Sequence, residues 1–122
     1  MKKSTSDLTA NQPRLKQITN LALNKKADKL IILDVRGLSS LADFFIICHG
    51  NSEPQVKAIA DNIRKGTNHK PRHIEGYDNQ TWILLDYFDI IVHVFKKDER
   101  EYYNLERLWA DAPYEEIDNE RN

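Results

Sequence analysis

The chain has 122 residues, 40% hydrophobic and 30% charged, which fits one globular domain and disfavours an intrinsically disordered chain. Lys and Arg number 18 against 19 Asp and Glu, a formal charge of −1, so the overall balance demands neither nucleic acid nor anionic lipid as a partner. No apolar run is long enough to span a bilayer, the N-terminus lacks the apolar stretch of a signal peptide, and the one cysteine, Cys48, permits no internal disulfide; together these predict a cytoplasmic protein.

Residues 1–8 read as a flexible polar tail, 9–112 as a single α/β domain and 113–122 as an acidic C-terminal tail. A helix is predicted to begin between Thr9 and Pro13, with Leu15, Ile18 and Ala22 on one face and Lys25 and Lys26 near its end. KLIILDV, Lys29 to Val35, and DFFIICH, Asp43 to His49, read as strands apolar on both sides, as central strands of a helix-flanked sheet are. After the Gly50-Asn51-Ser52 turn, Ser52 and Gln55 form a capping-box pattern, and Pro54 is tolerated in the first turn. Val56, Ile59, Ala60 and Ile63 then mark an amphipathic helix that Gly66 should stop. A short strand follows near His73 to Tyr77. TWILLDY, Thr81 to Tyr87, and DIIVHVF, Asp89 to Phe95, should pair as a tight antiparallel hairpin around Phe88. Asp98 and Glu101 form a second capping-box pattern. Tyr102, Leu105, Leu108 and Trp109 line one side of a last helix that Pro113 closes. The predicted order is α-β-β-α-β-β-β-α: an α/β (α+β) fold with a mixed five-stranded sheet flanked by helices.

Three kinds of chemistry compete. A small nucleotidyltransferase binding nucleotide and Mg would use a turn such as Gly50-Asn51-Ser52 together with paired carboxylates. Such carboxylates stand two apart on one strand, so that both side chains share a face. No Asp-x-Asp or Glu-x-Asp occurs on a predicted strand, and Asp86 and Asp89 are three apart and straddle a turn; that alternative would use Ser52 with carboxylates from Asp34, Asp43 or Asp86. A metal site needs several ligands to converge, whereas His69 and His73 lie in or beside a basic loop and His93 stands alone in mid-strand, apart from His49; Cys48 sits in an apolar strand, so neither cofactor nor metal is expected. Arg64, Lys65, Lys70 and Arg72 could touch phosphate, but no aromatics are interleaved among them, and a solvated helix end explains them as well.

The most informative stretch is Ile74 to Phe95, which has no Lys or Arg but holds Glu75, Asp78, Asp86 and Asp89 with Tyr77, Trp82, Tyr87 and Phe88. Such a surface suits a basic protein, with rings for area and carboxylates for orientation. Strand parity puts Trp82, Leu84 and Asp86 on one face. The competing reading makes Trp82 core and leaves the acids at turns.

In order along the chain, Asp34-Val-Arg-Gly37 with Ser39 and Ser40, Asp43, Gly50-Asn51-Ser52, Glu75-Gly76, Trp82, Asp86, Asp89-Ile-Ile-Val-His93 and Arg100-Glu-Tyr-Tyr103-Asn-Leu-Glu106-Arg-Leu-Trp109 resemble the ribosomal silencing factor, or Iojap, family. The resemblance implies a nucleotidyltransferase-like domain without the catalytic carboxylate pair, and no enzyme activity. It also implies binding to the large ribosomal subunit through its ribosomal protein fourteen. Small-subunit joining would be blocked sterically and translation repressed when nutrients are limiting. Carried over, the contact set is Glu75, Trp82, Asp86, Asp89, His93, Tyr103 and Glu106, with Trp82 as anchor. No membrane and no sequence-specific nucleic acid is implied as partner, and a homodimer is compatible. Phe88 stands where the family usually has glycine, and a non-glycine residue disfavours positive φ there.

Overall fold

A computed structural model describes residues 8–117. Two short helical pieces open it: α1, Leu8–Asn11, and α2, Pro13–Leu23. The single helix expected here is split at Gln12, whose extended backbone (φ −131, ψ 95) is what a residue preceding proline prefers. Then follow β1, Asp28–Asp34; β2, Phe44–Gly50; α3, Glu53–Gly66; β3, His73–Glu75; β4, Trp82–Asp86; β5, Ile90–Lys96; α4, Lys97–Tyr103; α5, Leu105–Leu108; and β6, Tyr114–Ile117.

The strands form one mixed sheet in the order β3-β4-β5-β2-β1-β6. Only β2 and β5 run parallel, joined through the long crossover that carries α3. The sheet has six strands rather than five, because Tyr114–Ile117, assigned from sequence to the acidic tail, pair antiparallel with β1. β1 would otherwise present a free edge of unpaired backbone groups. Glu115 does not repel the fold either: its carboxylate accepts from the backbone and hydroxyl of Thr9 at 3.0 to 3.3 Å. The rest of that tail, like the start of the N-terminal one, lies outside the described residues.

Because β1, β2 and β5 are buried on both faces, the sheet separates two cores. On one side Leu30, Ile32, Ile46, Ile83, Leu85, Val92 and Val94 meet Leu15, Ile18 and Ala22 of α2 and Val56, Ile59 and Ile63 of α3. On the other, Ile31, Leu33, Phe45, Ile47, Ile91 and Phe95 meet Leu105 and Trp109.

Ser52 caps α3 by accepting from the Gln55 amide (3.3 Å), and the Gln55 side chain returns to the Asn51 amide (2.8 Å). α3 ends at Gly66 as expected, but not through the left-handed turn of a glycine cap. Gly66 lies inside the last turn of α3, where an added Cβ would sit 2.5 Å from Leu21 Cδ2, so it is there to let α2 and α3 approach. The helix end is instead closed by Lys70, whose ammonium donates to the carbonyls of Arg64, Lys65 and Thr67 at 3.1 Å each. The Asp98–Glu101 capping box does not form: α4 begins at Lys97 without a side-chain cap, and Asp98 accepts from the adjacent Glu99 amide. The last helix is also not continuous. Asn104 takes a left-handed conformation (φ 47) that divides α4 from α5, and asparagine tolerates that region.

Candidate functional site

Antiparallel pairing fixes which side chains share a face. Trp82 lies opposite Phe95, Leu84 opposite His93 and Asp86 opposite Ile91. On the outer side His73 faces Asp86 and Glu75 faces Leu84. All these side chains belong to the face whose other half is covered by α4 and α5. Of these two helices, α4 lies over β2 and β5. At the β3–β4 end Trp82, Leu84 and Asp86 stay partly exposed and Glu75 is exposed.

Trp82 is held from three sides. Its indole N–H donates to His93 Nδ1 at 3.1 Å, its ring stacks on Phe95 with centroids 4.7 Å apart, and Tyr103 leans against it at 4.8 Å. Since tryptophan can only donate, His93 must accept at Nδ1 and carry its proton on Nε2. His93 is 6% exposed, and burial pushes its pKa down to about 4, so it is neutral at physiological pH. With its one polar atom satisfied, Trp82 offers only apolar ring outward. Tyr103, 45% exposed, continues that surface to Tyr102, which packs edge-on at 5.1 Å.

The carboxylates are distributed unevenly. Asp86 accepts from Arg72 Nε at 3.2 Å and from the Phe88 amide at 2.7 Å. The same Arg72 guanidinium lies 4.7 Å over the exposed Phe88 ring. Phe88 takes φ +81 although it is not glycine, so the hairpin keeps a left-handed residue at a steric cost. Glu75 pairs with His73 at 2.8 Å. Asp89 turns the other way and takes Arg14 of α2, on the opposite side of the sheet, at 2.8 Å to each oxygen. Glu106 folds against Arg100 at 2.8 Å. Of the seven candidate contact residues, therefore, Trp82, His93 and Tyr103 form one cluster. Glu75 and Asp86 flank it on the same face. Asp89 and Glu106 do not join it. Phe95, Arg72 and Arg100 belong to the arrangement too; Arg100 opens the C-terminal motif but is not in the contact set carried over from it, and no motif marks Phe95 or Arg72. Hairpin register is the signal that points to Phe95; the two arginines act through pairing that spacing does not reveal.

The alternative constellations come apart. Asp34, Asp43 and Asp86 lie at one end of the sheet and Ser52 at the other, separated by the length of β2, about 20 Å at 3.3 Å per residue. Asp34 is occupied by Arg36, at 2.7 Å, and that pairing holds its pKa below the usual carboxylate range. Arg64 pairs with Asp61 at 3.1 Å, Lys70 closes α3 and Arg72 holds Asp86. Cys48 is fully buried, and desolvation raises its thiol to about 12, so it is inert. Among the described residues no group of three or more His, Cys, Asp and Glu could hold a metal ion, and no helix is long and apolar enough to cross a membrane.

Comparison with known proteins gives a consistent picture. The family profile described as "Ribosomal silencing factor during starvation" matches residues 8–122. A ribosomal silencing factor of Halalkalibacterium halodurans is 47% identical over 112 residues, covering 89% of this chain and 96% of that protein. One from Bacillus subtilis is 46% identical, covering 88% and 95%. The chloroplastic Iojap protein of Arabidopsis thaliana is 31% identical, covering 87% of this chain and 48% of that longer protein. Crystal structures superpose well: one from Chromobacterium violaceum with TM-score 0.79 at 31% identity, over 82% of this chain and 86% of that one. A second, from Bacillus halodurans, has TM-score 0.77 at 45% identity, over 88% and 100%.

Proposed function

The chain belongs to the ribosomal silencing factor family, and from that premise we propose that it binds the large ribosomal subunit through ribosomal protein fourteen of that subunit. Bound there, it keeps the small subunit from joining and so represses translation when nutrients are limiting. It acts by occupying space and needs no catalytic turnover.

The observation that carries this reading is the clamped Trp82. An aromatic ring fixed by a hydrogen bond, a stacking partner and a flanking tyrosine, yet still partly open, is what a hot-spot anchor requires. Such a ring loses little side-chain entropy on docking, since its rotamer is already set. Glu75 and Asp86, at its margin, orient a basic partner. A nucleotidyltransferase reading finds no support in the placement of Ser52 and the carboxylates at opposite ends of the sheet.

The test is cosedimentation with purified subunits. Comigration with the large subunit is expected; comigration with the small subunit alone, or with neither, overturns the proposal. Trp82→Ala should weaken binding by about 2 kcal/mol or more while leaving a cooperative unfolding transition, as loss of an anchor does.

A further inference from the structure

Tyr103 reaches Trp82 only because α4 lies across the sheet, yet neither α4 nor α5 contains a buried residue. Partly buried Leu105 and Trp109 supply part of their hold. Arg100 supplies much of the rest. Its Nε donates to Glu106 Oε2 at 2.9 Å, and Nη2 forms an ion pair with the same oxygen at 2.8 Å. Its Nη1 donates to the Asp28 carbonyl at 3.3 Å and to His49 Nδ1 at 3.0 Å. The side chain is only 11% exposed. One guanidinium thus joins α4 to α5, β1 and β2, and a planar group with fixed donors does this with more geometric definition than an ammonium could.

We propose that Arg100 is a positioning residue for the docking face: it sets α4 so that Tyr103 braces Trp82, and protonation of His49 releases that hold. The proposal rests on the reading of Trp82 as the anchor for the large subunit. Arginine can only donate, so His49 accepts at Nδ1 and carries its proton on Nε2. His49 is 4% exposed, and its Nε2 has no hydrogen-bond partner, lying 3.6 Å from Asp28 Oδ2. Protonation would turn Nδ1 from acceptor to donor and set an imidazolium against the guanidinium, so both hydrogen-bond sense and charge oppose the contact. The charged groups facing His49 are Arg100, Lys97 and Glu101 from α4 and Asp28 from β1; Phe95, its neighbour on β5, carries no charge. Burial, Arg100 and Lys97 hold its pKa below 6.5, against the opposing pull of Asp28 and Glu101. A cleft of about 880 Å³ lined by Asp28, His49, Lys97, Arg100 and Glu106 gives the freed guanidinium room to swing out. Because the latched state disfavours the proton, acid shifts the balance toward release.

Two measurements test this together: binding to purified large subunits, and hydrogen exchange of the α4 amides in the free protein. Arg100→Met, which keeps the apolar stem, should weaken binding about tenfold or more and speed exchange across Lys97–Tyr103, while α3 and β2 stay protected. Arg100→Lys, retaining charge but not the fork, should fall between. Wild-type binding should decline as pH falls below about 6.5. His49→Gln keeps an acceptor for Arg100 and cannot titrate; it should bind like wild type at neutral pH and lose that part of the pH profile. Binding of Arg100→Met within twofold of wild type, unchanged α4 exchange, or a pH profile of His49→Gln identical to wild type overturns the latch. If wild type itself does not bind large subunits, the docking proposal fails, and α4 exchange in Arg100→Met and across pH decides the latch alone.

Discussion

Acid should destabilise this protein through His93 before most carboxylates titrate. In the unfolded chain His93 takes a proton near 6.5; in the folded chain it resists until about 4. The unfolded state therefore binds more protons between those values, and stability falls as pH falls through that window. Each pH unit separating the two values is worth about 1.4 kcal/mol, so the full contribution is about 3 kcal/mol, a large fraction of a small domain's stability. The cause is local. The imidazole accepts the Trp82 N–H at 3.1 Å, so a second ring proton would oppose that donor inside an apolar site. Urea unfolding at several pH values between 7 and 4 would measure the slope. The control is His93→Gln, whose amide oxygen can still accept from Trp82. Its stability at pH 7 is expected to be lower, but its decline toward pH 4 shallower by about 3 kcal/mol. His49, shifted in the same direction, titrates in both proteins and cancels in the difference. Parallel curves for the two proteins, or a His93 titration midpoint at or above 6.5 by NMR, would refute the reasoning.

Three further outcomes are expected. Gly76→Ala should cost more than about 3 kcal/mol in chemical denaturation, because Gly76 has φ +76 and a Cβ there would meet the Trp82 carbonyl oxygen at 2.0 Å, backbone that cannot move aside. Phe88→Gly should be more stable than Phe88→Ala by about 1 kcal/mol, since both lose the ring and only alanine retains the left-handed strain; the reverse order in thermal unfolding would remove that account. Lys70→Met keeps the stem but strips three carbonyls of their donor; a loss of about 1 kcal/mol is expected, with faster hydrogen exchange confined to the last turn of α3.

The architecture is legible in the sequence wherever local chemistry and burial agree. Runs such as Leu30-Ile31-Ile32-Leu33 announce strands covered on both sides, and the structure supplies a core on each. Ser52 and Gln55 announce a cap that forms. Local pattern misleads where tertiary pairing outweighs it. Tyr114-Glu-Glu-Ile117 does not alternate and carries two charges, so it reads as tail; the open edge of β1 makes it a strand. Tyr102, Leu105, Leu108 and Trp109 show one helical period, but Asn104 interrupts it and leaves Tyr102 and Leu108 exposed. Gly66 reads as a stop by residue type, and α3 does end there, but the need for a glycine comes from Leu21, far away in the chain.

The same logic explains the candidate site. Parity alone puts Trp82, Leu84 and Asp86 on one face, and the hairpin register adds His93 and Phe95. What parity cannot show is how charge is spent. The basic-free stretch from Ile74 to Phe95 looks strongly acidic in sequence, but Arg14 reaches Asp89 from α2 and Arg72 reaches Asp86 across the β3–β4 pair. Glu75 is taken up by a hydrogen bond with His73, and beyond the stretch Arg100 answers Glu106. A carboxylate already holding a cation in the free protein gains little net attraction from another, because exposed pairs exchange at small free-energy difference. In the docking proposed above, the acids then contribute register and encounter rate, while the rings of Trp82 and Tyr103 carry most of the area that a partner would bury. On that proposal the geometry that matters for affinity is the angle between two aromatic planes, 46° between Trp82 and Tyr103. That angle is set by residues outside the surface: His93 and Phe95 beneath one ring, and Arg100 behind the other.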